Sequence, residues 1–428
     1  MTEAWIALAV ILFALLFSST PIAVALGGTA FLYFFYYTLM PMTQVPERLF
    51  NALNSFPLMA IPFFVFGANL MSRGGISKRL TDAGNAVVGH LRGGMAMTAV
   101  LACMFFAAVS GSSPATVVAV GTLMIPAMIA SGYPKQFSTG LIASAGSLGI
   151  LIPPSTPLIV YGISTEQSIG DLFMAGVVPG IMAGSMLLVT VVIVAWKNGY
   201  GTDEHAIVMT TGEKFRAIRD ASLSLALPVI VLGGIYGGFF TPTEASAVAV
   251  GYALLVSMLV YRELGWKDLW PIVLASARTS AMVMFIIANG ILFTFVLTSE
   301  RIPAQITDSI LGMELQPWQF LLVVNILLLI VGCFMETSSA ILILAPILLP
   351  IGLELGVDPI HLGVIMVMNL EIGMLTPPLG LNLFVASGLS GMSVLQVARA
   401  AIPFALVLLV GLMLVTYIPG IPLFFQGG

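Results

Sequence analysis

Two short polar interruptions, Ser110-Gly111-Ser112-Ser113-Pro114 and Met335-Glu336-Thr337-Ser338-Ser339, each separate a pair of apolar runs. Each run has about 15 residues, or roughly 22 Å as a helix, too short to cross a hydrocarbon core of about 30 Å. A helix that stops inside a bilayer leaves up to four unpaired carbonyls, and the next one starts with up to four unpaired N–H groups. Such ends occur at depth only where protein, water or a bound ion satisfies them. Ser113-Pro114 reads as the N-cap and first-turn proline of a returning half-helix, Gly111 permits the reversal, and Ser110, Ser112 and Thr116 supply oxygens. Thr337, Ser338 and Ser339 do the same work at the second interruption. Carbonyl and hydroxyl oxygens without a basic group suit a hard monovalent cation, while half-helix N-termini suit an anionic solute.

Two further stretches, Gly149-Ile-Leu-Ile-Pro153-Pro154-Ser155-Thr156-Pro157 and Gly373-Met-Leu-Thr376-Pro377-Pro378-Leu-Gly380-Leu-Asn382, cannot be continuous helix. Proline removes an N–H, clashes with the preceding turn and pushes the residue before it toward extended backbone. Each stretch should expose carbonyls beside the hairpin tip of its own half. The expectation is two related cation sites, one per half, flanking a solute site at the midplane.

Glu336 and Glu371 fall within these apolar regions, where ionisable groups are rare, and are candidates for ion coupling or gating. Thr241-Pro242-Thr243-Glu244 has the spacing of a capping box, which makes it structural. Cys103 and Cys333 show no redox or metal spacing, and His90, His205 and His361 do not cluster. The net charge of -4 gives no ground for nucleic-acid binding.

The elements that must hold these groups follow from composition. The chain is 59% hydrophobic and 8% charged, with a mean hydropathy of +1.08, and apolar stretches recur from end to end. This predicts an all-α polytopic membrane protein. Thr2 to Ser19 lacks the basic start and cleavage site of a signal peptide and reads as a retained helix.

Helix breakers repeat at one spacing: Pro126 and Pro350, Pro153 and Pro377, Pro154 and Pro378, and Pro179 and Pro403 are each 224 residues apart, as are Gly132 and Gly356. Two copies of one unit are therefore expected. Residues 1–197 form the first, with a re-entrant hairpin at about 94–131 and a discontinuous helix at about 136–165. A cytoplasmic connecting loop with a surface helix takes 198–220. The second repeat, 221–420, has its hairpin at about 318–355 and its broken helix at about 360–388. Five crossings per unit make the second copy inverted. This arrangement gathers most Lys and Arg on one face and leaves Arg48 and Arg301 on the other, so both termini should face outward.

The stretches "GSSPATVVAVGTLMIPAM", "GILIPPSTPLIVYG", "GGFFTPTEASAVA" and "LTPPLGLNLFV" closely resemble the large membrane subunit of tripartite ATP-independent periplasmic (TRAP) transporters, over nearly the whole chain. The resemblance implies a sodium-driven importer of organic acids, with sialic acid and C4-dicarboxylates as typical cargoes and an elevator-type movement. It further implies a bacterial inner membrane, a small four-helix membrane subunit and a soluble periplasmic binding protein, both expected as separate chains. Carried over by residue, it places sodium, in at least two sites, at Ser110, Ser112, Ser113, Gly149 and Pro153 in the first half and at Thr337, Ser338, Gly373, Thr376 and Pro378 in the second. Substrate would meet Ser112, Ser113, Thr116, Ser155, Thr156, Ser338 and Asn382.

Two other readings stand beside this one. A partner-independent proton- or sodium-coupled anion transporter would share the architecture. An intramembrane serine enzyme would need a base near Ser112 or Ser113, and no histidine is predicted at that depth, so no enzymatic activity is expected.

Overall fold

The computed structural model describes residues 2–18, 20–38, 41–200, 209–378 and 380–426. Every regular element among the described residues is helical. Eight of these helices are long and apolar enough to cross a membrane, or nine when the bent pair Lys135–Leu151 and Thr156–Ser164 is counted as one span; Ser113–Ala130 and Thr337–Glu354, at 18 residues each, are among the eight and are longer than the apolar runs predicted. The chain is an all-α polytopic membrane protein.

The first hairpin consists of Gly94–Ser110 and Ser113–Ala130, packed against each other with two residues between them. Gly111 makes the reversal at φ +60°, a conformation that costs glycine little. Ser112, at φ -143° and ψ 123°, occupies the N-cap position, and Pro114 stands in the first turn. This corrects the assignment of the cap to Ser113 by one residue: extended backbone is needed before the first helical residue, and it falls on Ser112. The second hairpin pairs Pro317–Gly332 with Thr337–Glu354.

Both proline pairs interrupt helices. Lys135–Gly146 and Leu148–Leu151 end before Ile152, and Thr156–Ser164 resumes with its axis bent by 42°. Pro359–Gly373 ends before the second pair, and Leu381–Ser390 follows it. The Pro153–Pro154 and Pro377–Pro378 peptide bonds are both cis.

Three helices were not anticipated: Gln44–Leu53, Ile76–Val88 and Ile302–Leu311. They are amphipathic, so a search for unbroken apolar runs passes over them. Ile76, Leu80 and Ala83 are buried at helical spacing, with Lys78, Arg79 and Asp82 between them. A shift of 224 residues carries 76–88 onto 300–312, the location of Ile302–Leu311.

Within the expected connector, residues 201–208, which include His205, lie outside the described residues. After them Thr211–Tyr236 is one helix. Its capping box joins Thr210 and Glu213, and it runs from the polar segment straight into the apolar one. The Thr241–Glu244 capping box is present as expected.

The longest helix, Trp266–Ser299, has 34 residues. At its start Arg79 pairs with Glu263 at 2.6 Å, in a groove also lined by Lys78, Asp82, Glu213, Arg216 and Asp220. Near its other end the Arg48 guanidinium lies 3.9 Å from the centre of the Phe295 ring. Basic side chains from the first half and the connector thus meet at one end of this helix, and Arg48 sits near the other. A large core joins the hairpins to the broken helices, and a smaller one packs Leu8, Leu26 and Phe34 on Phe293 and Val296.

Candidate functional site

Each break sits against the hairpin of its own half. Thr156 N donates to Gly111 O at 3.3 Å, tying the first break to the first tip. A Cβ on Gly149 would lie 2.5 Å from Thr116 Oγ1 and 2.7 Å from Ser112 O, so only glycine allows this approach. In the second half a Cβ on Gly373 would stand 2.6 Å from the Gly332 Cα. Thr337 Oγ1 points to Met374 Sδ at 3.1 Å.

The two tips come together around one cavity of about 530 Å³. Gly111–Pro114 and Glu336–Ser339 contribute one wall, with Ile150, Thr156, Glu371 and Met374 from the breaks. The opposite wall comes from Pro21–Val24 and from Thr279, Met282 and Phe285. Those last three lie about halfway along Trp266–Ser299, which at 1.5 Å per residue is roughly 51 Å long. The cavity therefore lies beside the middle of this helix. Sequence reasoning missed this second wall because apolar side chains on a continuous helix carry no local signature.

Of the expected site residues, Ser112, Ser113, Thr156, Thr337, Ser338, Glu336 and Glu371 line the cavity. Ser110 and Thr116 lie just behind it and bond to each other at 2.9 Å, and Thr116 Oγ1 also donates to Ser112 O at 2.9 Å. Ser155 is buried as the N-cap of Thr156–Ser164, accepting from Leu158 N at 3.4 Å. Gly149 and Gly373 are close-packing positions, and Pro153 is buried at the first break. Thr376 and Pro378 are exposed, with Thr376 facing away from the cavity into a lateral groove. Asn382 is fully buried and reaches the cavity only through Glu371.

The two acids hold different positions. Glu336 is the N-cap of Thr337–Glu354: its Oε2 accepts from Ser339 N at 3.0 Å and its Oε1 from Ser338 Oγ at 2.9 Å. A carboxylate here completes the free N–H groups and complements the positive end of the helix dipole. Glu371 accepts from Asn382 Nδ2 at 2.7 Å through Oε1, while its Oε2 and Asn382 Oδ1 are buried without a partner. It belongs to the second broken helix yet neighbours Ser113 of the first tip. Among the described lining residues these two acids are the ionisable ones, with no Lys, Arg or His beside them. What the arrangement can do is present convergent hydroxyl, carbonyl and carboxylate oxygens to cations beside a small solute.

Comparison with known proteins places the chain. The profile of the family described as "Tripartite ATP-independent periplasmic transporter, DctM component" matches residues 9–421. The chain belongs to this family. It is 52% identical over 376 residues to the C4-dicarboxylate TRAP transporter large permease protein DctM of Pseudomonas aeruginosa, covering 88% of this chain and 87% of that one. It is 38% identical to the 2,3-diketo-L-gulonate TRAP transporter large permease protein YiaN of Escherichia coli, with 93% and 92% covered. An isethionate TRAP transporter permease protein, DctMQ, from Oleidesulfovibrio alaskensis is 45% identical over 95% of this chain and 64% of its own length. Among solved structures, the YdaH transporter of Alcanivorax borkumensis superposes with a TM-score of 0.62 at 13% identity, covering 88% of each chain, a likeness of fold. As a TRAP large permease the chain works within a tripartite system, with a small membrane subunit and a periplasmic binding protein.

Proposed function

We propose that this chain carries sodium-coupled uptake of a small organic acid anion across a bacterial inner membrane, with both termini outward. The observation that carries the reading is the charge of the cavity. Two acidic side chains, and among the described residues no basic one, line the place where an anion would sit. An anion entering a site lined by acids and no base needs cations to offset its charge. Cations held by the tip oxygens supply that offset, which makes coupling a condition of binding.

Sodium ligands in this reading are Ser110, Ser112, Ser113, Gly149 and Pro153 in the first half, and Thr337, Ser338 and Gly373 in the second; Thr376 and Pro378, exposed outside the cavity, are not among them. The solute meets Ser112, Ser113, Thr156 and Ser338, with Thr116, Ser155 and Asn382 buried behind them. The names of the relatives compared above favour a C4-dicarboxylate or another small acid over sialic acid. The hairpins and broken helices form the moving unit of an elevator, and the long helices its scaffold. A small four-helix subunit and a periplasmic protein complete the system.

The test is uptake into liposomes by this chain with its two partners, under separately imposed sodium, proton and voltage gradients. Accumulation of a C4-dicarboxylate driven by sodium alone supports the proposal. Uptake driven only by protons would refute the coupling, and full uptake without the partners would favour the partner-independent reading.

A further inference from the structure

The two breaks differ in how they are covered. The helix after the first, Ile169–Asn198, closes over it: Cβ atoms on Gly176 and Gly180 would lie 2.9 Å from Leu151 O and 2.6 Å from Ile152. Pro153, Pro154 and Ser155 are buried as a result. The helix after the second break, Val394–Tyr417, leaves a groove of about 470 Å³, and Thr376 and Pro377 are exposed in its wall. Leu395, Ile402 and Leu406 form one side and Ile330 and Cys333 the other. The charged residue of the groove is Arg399, which is exposed and pairs with no carboxylate among the described residues. The position 224 residues earlier is Ala175, so the first half has neither the groove nor the cation.

We infer that this groove is a docking site for one acyl chain of an anionic phospholipid, with the headgroup phosphate on Arg399. The dimensions match a single leaflet. Arg399 is the sixth residue of its helix, at the depth where a long basic side chain reaches the headgroups. From there to Leu409, at the far end of the groove, is ten residues, or about 15 Å, half of a core of about 30 Å. A basic position between transmembrane helices recognises anionic headgroups, and an apolar channel beside it takes the chain. A lipid seated here covers Thr376 and Pro377 as Gly176 and Gly180 cover the first break.

Cys333 reports occupancy, since the other cysteine, Cys103, is fully buried. The purified full chain in mild detergent is alkylated with pyrenyl maleimide in the presence of phosphatidylglycerol or phosphatidylcholine, with Cys333→Ala as the labelling control. Phosphatidylglycerol should slow alkylation about fivefold more than phosphatidylcholine, the ratio for roughly 1 kcal/mol per basic group. Arg399→Gln should abolish that difference and Arg399→Lys keep most of it. Equal protection by both lipids, or by neither, overturns the inference. Protection by a co-purified second membrane chain regardless of lipid also overturns it and assigns the groove to that chain. Native mass spectrometry of the unsubstituted protein gives an independent reading if Arg399→Gln does not purify: selective retention of phosphatidylglycerol supports the site, and its absence refutes it. None of these readouts depends on cargo or coupling ion.

Discussion

Gly149 lies so close to Ser112 that a Cβ on it would stand 2.7 Å from the Ser112 carbonyl oxygen. This contact brings the carbonyls of a broken helix to the tip of a hairpin, and the proposed first cation site depends on it. Gly149→Ala must displace the tip or the break, an overpacking cost of about 1–3 kcal/mol. Sodium-driven uptake should fall by about tenfold or more, a decade being 1.4 kcal/mol. Parental uptake by this variant would sink the assignment of that site.

Glu336 is both a cap and a cavity carboxylate, and two substitutions separate these roles. Glu336→Gln keeps an acceptor for Ser339 N and should leave thermal stability close to the parent while raising the sodium concentration needed for half-maximal uptake. Glu336→Ala should in addition lower stability by about 1 kcal/mol, the usual loss of a cap. Unchanged sodium dependence in Glu336→Gln would leave only the capping role.

Glu371 is buried with one oxygen satisfied by Asn382 and no basic partner. A charge in that setting costs stability unless a bound cation offsets it. Glu371→Gln should therefore shrink the rise in melting temperature that sodium gives and reduce uptake. A lowered melting temperature together with normal uptake would make the carboxyl a purely structural group.

The hairpin tips meet beside the middle of Trp266–Ser299, and a re-entrant reading has each pair of arms enter and leave on one side of the membrane. In a chain with Cys103→Ser and Cys333→Ser, cysteines placed at His90 and Ser131 should react with an impermeant maleimide from the same side. Cysteines placed at Glu314 and Gly356 should both react from the opposite side. Labelling of His90→Cys and Ser131→Cys from different sides would make the first hairpin a pair of crossings and remove the basis for the cavity.

Much of this molecule is legible in local sequence because its determinants act locally. Apolar runs select membrane helices, proline pairs at 153–154 and 377–378 stop them wherever they occur, and the Thr241–Glu244 spacing caps a helix without help from distant residues. The amphipathic helix Ile76–Val88 was equally encoded, in the spacing of Ile76, Leu80 and Ala83 rather than in a continuous run. Tertiary structure alone decided the rest. That Glu371 of one half neighbours Ser113 of the other, that Thr279 and Phe285 wall the cavity, and that Thr376 is left exposed beside Arg399 all depend on how separate rigid helices pack against one another. Local propensity sets where helices begin and end. It carries no term for which helix meets which, because that choice is made by the shapes of complete faces once the helices exist.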